Sequence, residues 1–262
     1  LARFGDAGKV AAECDVTVAV LGINKSIERE GQDRFSLELP VDQQEFIKEL
    51  YKVNPNTVVV LVAGSSMAVN WMDENVPAIL NAWYPGEQGG NAVAEVLFGD
   101  YNPGGRLPLT YYNSLDEIPA FDNYFVKGRT YQYFEGQPLY EFGYGLSYTK
   151  FRYKSKGVNV EQDTVKVSFE VSNTGKYDGD EVTQVYVKYP ETGTYMPLKQ
   201  LHGFKRVHIK KGKTSKVTIG VPKKDLRYWD EQERKFVTPK GEYTFMVGAS
   251  SDDIKFRETV GL

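Results

Sequence analysis

The chain is poor in cysteine and histidine: Cys14 is alone, and the histidines are two, His202 and His208. A single thiol excludes an intrachain disulfide and a cysteine metal cluster, and leaves the redox compartment open. With so few histidines and no second acidic cluster of ligand spacing, no metal is expected, and no cofactor. An excess of one charge is missing too. Lys and Arg number 32 against 35 Asp and Glu, for a net charge of -3, which lacks the basic footprint of a nucleic-acid binder and the polybasic patch of a membrane-surface protein. No apolar run approaches the roughly 20 residues of a membrane helix. The expected partner is therefore a neutral small molecule or polymer, with no nucleic acid and no membrane. The opening "LARFGDAGKV" lacks both an initiator Met and a signal-peptide layout. Residue 1 is expected to be a processing point or a cut inside a longer protein.

What is present is core and rings. At 262 residues and 41% hydrophobic content, the chain can bury one large core or two ordinary ones, and two domains are expected. Aromatic residues make up 13%, with 18 Tyr against 3 Trp, many of them in "YFVKGRTYQYFEGQPLYEFGYGLSYTKF". Such rings stack on sugar faces but equally fill cores and domain seams. Both readings stand at this level.

The hydrophobic pattern divides the chain. "VTVAVLG" (16–22) is a continuous apolar run of strand length, expected to be covered on both faces. Pro40 opens "VDQQEFIKELYKV", where Phe46, Ile47, Leu50 and Tyr51 recur at helical spacing. "NPN" breaks that helix and "TVVVLVAG" (57–64) is a second buried strand. A short helix over "SSMAVNWM", a strand over "VPAILNAWYP" and a helix over "GEQGGNAVAEVLFGD", with Ala92, Val93, Val96 and Leu97 on one face, complete the alternation. Strand and helix in turn predict right-handed crossovers and a layered α/β sandwich with a mainly parallel sheet. After "NPGGRLPLTYY" the pattern becomes irregular and rich in Gly and aromatics, and beyond Phe151 short alternating runs follow between turn signals. These predict an all-β sandwich of fibronectin III or immunoglobulin type. The expected domains are 1–115 (α/β), 116–150 (connector) and 151–262 (β-sandwich).

Ligands of open parallel sheets bind at the carboxyl ends of the strands. There, directly after the first strand, "IEREGQDRFSLELP" gathers Glu28, Glu30, Asp33 and Glu38 around Gly31. A carboxyl group beside Arg and Asp on such a loop suits general acid catalysis. The same residues would equally make a salt-bridged turn in which Asp33 and Arg34 fix the chain. Other chemistries find less support: "GSS" at Ser65 is not a nucleophile elbow, and "GEQGGN" lacks the Lys-Ser/Thr of a phosphate loop. The basic stripe "KQLHGFKRVHIKKGKTSK" alternates with apolar residues, as a solvent-facing strand does.

Four ordered motifs, "AVLGINKSIEREGQDRFSLELPVDQQEFIKEL", "VVVLVAGSSMAVNW", "AWYPGEQGGNAVAEVLFGDYNPGGRLPLTYY" and "YEFGYGLSYTKF", together resemble the C-terminal half of glycoside hydrolase family 3. The resemblance covers essentially the whole chain. It implies a retaining exo-β-glycosidase whose nucleophilic Asp lies in an N-terminal barrel absent here, with an oligosaccharide or glycoside as substrate. "REGQDR" matches the family's "GEGxDR" segment and places the acid/base at Glu30, with Glu28 as fallback because of the "E-R-E" spelling. Asp33 and Arg34 would orient the loop, and Trp83, Tyr84 and Trp71 would face sugar or the domain seam. "IExEGxDR" and "LPxxQ" are spelled as in the xylosidase and arabinofuranosidase branch, so β-xylosidase is placed ahead of β-glucosidase. The missing nucleophile implies that the chain alone is inactive, and motivates a rival of another class, a non-catalytic carbohydrate-binding or scaffolding module. The substrate class implies a secreted or periplasmic protein.

Overall fold

The structure is a computed structural model that describes residues 4–262. The chain forms two compact units. One holds residues up to Phe98 with Tyr111–Pro119 and Gln137–Leu139; the other holds Gly99–Thr110, Ala120–Gly136 and Tyr140–Leu262.

The first unit runs α1 (Asp6–Glu13), β1 (Thr17–Gly22), α2 (Val41–Val53), β2 (Thr57–Val62), α3 (Asn70–Asn75), β3 (Ala78–Asn81) and α4 (Gly89–Phe98). Its strands form a parallel sheet in the order β1-β2-β3, as alternation of strand and helix requires. Central β2 is buried on both faces through Val59, Val60 and Leu61. Ile47 and Leu50 of α2 and Met72 of α3 add to the core. Pro40 stands as the N-cap of α2, and Asn54 as its C-cap. Asn54 also donates through Nδ2 to the carbonyls of Ala11 (2.9 Å) and Cys14 (2.8 Å), satisfying acceptors that the end of α1 leaves open. The helix-breaking "NPN" thus holds two helix ends.

Four expectations need correction. Strand β1 is covered on one face only: Ala19 and Leu21 are buried, while Val16, Val18 and Val20 are 48%, 47% and 66% exposed. An apolar run marks a strand but does not say whether it lies at the centre or the edge of its sheet. The helix expected from Ser65 begins only at Asn70, because the backbone before it is engaged with the acidic loop. The third strand stops at Asn81, where the chain turns into a left-handed Trp83 (φ 54°). The apolar side of α4 is not buried, Ala92 being exposed and Val93, Val96 and Leu97 only partly covered. Helix α1 had no sequence signal strong enough to read.

The second unit contains a short helix α5 (Thr130–Tyr133) and nine strands: β4 (Phe151–Val160), β5 (Thr164–Asn173), β6 (Gly179–Lys188), β7 (Gln200–Ile209), β8 (Thr214–Pro222), β9 (Tyr228–Asp230), β10 (Lys235–Val237), β11 (Glu242–Gly248) and β12 (Ile254–Gly261). They form antiparallel sheets β12-β11-β6-β7 and β4-β5-β8, with β9 and β10 as a separate hairpin. Val165, Val167, Phe169 and Val171 of β5 meet Val185, Val187, Tyr243, Phe245 and Val247 in one core, the alternation of a two-sheet sandwich. Against this core lies a buried polar triad. Arg106 Nη2 pairs with Glu181 Oε2 at 2.9 Å, and the Tyr153 hydroxyl donates to Glu181 Oε1 at 2.6 Å. Burial and the neighbouring Glu181 carboxylate push the Tyr153 hydroxyl pKa up, so it remains a donor.

Candidate active site in the loop after β1

The loop begins from a clamped strand end. Gly22 has φ 155°, and a Cβ there would lie 1.8 Å from the Val62 carbonyl oxygen, so no side chain fits. Its N–H donates to Gln43 Oε1 and its carbonyl accepts from Gln43 Nε2, both at 2.8 Å. The glutamine of "LPVDQ" therefore pairs with an edge-strand peptide as a neighbouring strand would.

The chain then folds on itself. Asn24 accepts from the N–H groups of Ile27 (2.9 Å) and Glu28 (3.1 Å) through its carbonyl, and from Ser26 N–H (2.8 Å) and Oγ (2.6 Å) through Oδ1. Such side-chain-to-backbone bonds are what Asn contributes to turns. Arg29 and Gln32 exchange both backbone hydrogen bonds (3.1 and 2.9 Å), leaving Glu30 and Gly31 at the tip. Gly31 has φ 74°, the left-handed backbone that the second position of such a turn asks of glycine. Glu30 is exposed there, and among the described residues its carboxylate has no ion-pair or hydrogen-bond partner.

Glu28 is placed differently. Its Oε2 accepts from Arg34 Nε at 2.9 Å and from Ser65 Oγ at 2.5 Å, with the Glu28 and Arg34 side chains only 19% and 9% exposed. Arg34 continues to the Ser66 carbonyl through Nη2 (2.7 Å) and to the Leu37 carbonyl through Nη1 (3.4 Å). Ala68 N–H donates to the Leu37 carbonyl at 2.9 Å, tying the far end of the loop to the segment after β2. A charge so removed from solvent is tolerated only when paired and hydrogen-bonded, and here one guanidinium meets a carboxylate and two carbonyls.

The site residues expected from sequence fall into three groups. Glu28, Arg34 and Tyr84 come together at Gly64: a Cβ on Gly64 would stand 2.5 Å from the Tyr84 ring and 3.3 Å from Glu28 Oε1. Tyr84 also donates to the Ile23 carbonyl at 3.3 Å, and Trp83 beside it is half-buried. Glu30 and Asp33 lie on the exposed side of the same loop. Trp71 sits instead on α3, edge-on to Tyr51 at 5.6 Å and 5.6 Å from Lys48 Nζ, in a groove of about 390 Å³ that Phe4 also lines. Sequence reading missed Gln43, Gly64, Ser65 and Ser66 as parts of the loop's support. The one signal was position, since "GSS" follows β2 as the acidic loop follows β1.

Residues 2–148 match the family model of the glycosyl hydrolase family 3 C-terminal domain, and residues 181–251 that of a fibronectin type III-like domain. A xylan 1,4-beta-xylosidase of Xylanibacter ruminicola is 42% identical over 85% of this chain and 26% of its own length. A periplasmic beta-glucosidase of Salmonella typhimurium is 34% identical over 97% of this chain and 35% of its own. The crystal structure of a Kluyveromyces marxianus beta-glucosidase in complex with glucose superposes with a TM-score of 0.91 at 36% identity, covering 98% of this chain and 33% of that one. The chain thus spans about a quarter to a third of the length of the curated relatives it matches.

Proposed function

Because the chain belongs to glycosyl hydrolase family 3, we propose that it is the C-terminal part of a retaining exo-β-glycosidase and that Glu30 supplies its general acid/base. The observation that carries this reading is the free carboxylate of Glu30, held at the tip of a loop whose base is locked by Glu28, Arg34 and Ser65. The loop leaves the carboxyl end of a parallel strand, where such sheets do chemistry.

In the complete enzyme, a nucleophilic Asp from the N-terminal barrel would attack the anomeric carbon. The bond to the glycosidic oxygen breaks as Glu30 gives that oxygen its proton. Water then reaches the anomeric carbon of the glycosyl-enzyme ester, Glu30 takes its proton, and the Asp carboxylate is released. Retention needs the two carboxyl groups about 5 to 5.5 Å apart, and a loop rigid at its base but open at its tip suits a proton donor brought over a sugar seated elsewhere. Asp33 and Arg34 orient the loop, and Trp83 and Tyr84 border it. The substrate is the terminal non-reducing sugar of a plant-polysaccharide oligomer, with xylose placed ahead of glucose. The 42% identical xylosidase and the loop spelling support that order, while the solved relative named above is a glucosidase. The name of the periplasmic relative supports a secreted or periplasmic location.

A second reading exchanges the glutamates. Its support is that Glu28 is the pre-positioned carboxylate, fixed by two donors. Glu30→Gln and Glu28→Gln in the complete enzyme separate the two. Loss of the acid should slow aryl glycosides with poor leaving groups by about 10² to 10⁴-fold, spare those with good ones, and be rescued by azide, which needs no base. The Glu30 variant is expected to show this pattern. If the Glu28 variant shows it instead, the assignment is reversed; if neither does, the acid is not on this loop. This chain alone is expected to turn over no aryl β-xyloside, β-glucoside or α-L-arabinofuranoside, and turnover by it would place a nucleophile within these residues.

A further inference from the structure

The first turn of α2 holds both ends of the acidic loop. Gln43 takes the peptide at its start, with Nε2 donating to the Gly22 carbonyl and Oε1 accepting from the Gly22 N–H, both at 2.8 Å. Gln44, the next residue, takes the peptide at its finish. Its Nε2 donates to the Leu39 carbonyl at 2.7 Å and, more weakly, to Glu38 Oε2 at 3.5 Å. The two side chains leave one fixed turn, because the N–H groups of both glutamines donate to the Pro40 carbonyl, at 2.9 and 3.1 Å. Ile47 and Leu50, buried further along α2, anchor that turn in its unit. Glutamine amides are mostly left to solvent, whereas these two are spent on loop backbone. One helix therefore sets the separation between residues 22 and 39, and the Glu28–Arg34 pair braces the span between them.

We propose that Gln43 and Gln44 are positioning residues for the general acid, a grip on both ends of the loop that fixes where its carboxyl group meets the leaving oxygen. The inference rests on the acid/base reading of this loop. Neither glutamine touches the reacting atoms; each acts through the peptide it holds. Proton transfer needs a heavy-atom approach of about 2.6 to 3.2 Å, and a misplacement of about 1 Å caused far from the chemistry costs about 10²-fold. Loss of either hold therefore falls on proton donation. Glycosides whose leaving groups depart without a proton escape it.

The test compares phenyl and 2,4-dinitrophenyl β-glycosides, whose leaving groups do and do not need a proton, using the complete enzyme. Gln43→Met keeps the length of the side chain while removing both hydrogen bonds. In it the ratio of kcat/KM on the phenyl to the dinitrophenyl substrate should fall about tenfold, and in Gln44→Met it should fall by less. Asn54→Ala is the control: it deletes two hydrogen bonds at the far end of α2 and should leave the ratio unchanged whatever it costs in stability. A ratio unaltered in either glutamine variant, or shifted as much by Asn54→Ala, overturns the proposal. Failure of the underlying reading looks different. If Gln43→Met lowers the ratio and Glu30→Gln does not, the grip stands and the acid is another carboxyl of this loop; if neither lowers it, both readings fall.

Discussion

Among the described residues, each unit contains an Arg–Glu pair at 2.9 Å that is largely withdrawn from solvent, and the two pairs are put to different ends. Glu28 and Arg34 lie six residues apart on one loop, and their outer neighbours, Glu30, Asp33 and Phe35, all face solvent. Arg106 and Glu181 are 75 residues apart, 8% and 3% exposed, and closed off further by Tyr153. The first pair makes a base from which exposed side chains project. The second joins a segment distant in sequence to a sandwich strand and leaves nothing reactive nearby. Identical chemistry thus serves presentation in one unit and cohesion in the other, and what differs is the exposure of the residues flanking it.

That contrast can be broken in steps. The largest effect is expected from Arg106→Ala, which strands the Glu181 carboxylate in a dry site and should destabilise the second unit by about 3–5 kcal/mol, read from denaturant unfolding. The triple change Arg106→Met, Glu181→Leu and Tyr153→Phe should cost far less, because it removes every charge at once. Arg34→Ala comes next. About 3 kcal/mol is expected from the same logic, felt locally as faster hydrogen exchange across residues 24–38, with the sheet amides of β2 keeping their protection. Gln43→Ala should cost about 1–3 kcal/mol for the two Gly22 groups it leaves without their partner, with exchange increasing first at Gly22 and Ile23.

The smallest effect concerns pH. His202 is partly buried, with Nε2 at 2.8 Å from the Tyr189 hydroxyl, and burial lowers its pKa below 6.5, opposed by Asp225. The unfolded chain therefore takes up the proton first. The contribution is fully present above the unfolded pKa and is lost as pH falls from about 6.5 through the lowered folded value, at no more than about 1.4 kcal/mol per pH unit. Unfolding midpoints between pH 8 and 5 should show this slope in the native chain, and less of it in His202→Gln.

The same contrast explains what the letters disclosed. Alternating strand and helix periods gave away the parallel sheet, and five of the sandwich strands were visible as alternating runs between turns. The acidic loop stood out because its ion pair is local, Glu28 and Arg34 being close in sequence. Its supports did not, since Ser65, Ser66 and Gln43 reach it from other elements, 37, 32 and 21 residues from their partners. The expected helix from Ser65 failed for that reason, as backbone recruited by Arg34 was not free to coil. Local propensity yields where a buried charge claims the carbonyls. Arg106 and Glu181 carried no signal at all, because nothing in either neighbourhood names the other.

The clamp of Gln43 on Gly22 has a consequence for how this architecture can vary. Both outward-facing groups of that peptide are already taken, so the sheet ends at a fixed stop and everything beyond it hangs from that stop. Insertions, deletions or wholesale exchange of residues 24–38 would leave the register of β1 untouched. The loop behaves as a socketed part, exchangeable without retuning the frame that holds it.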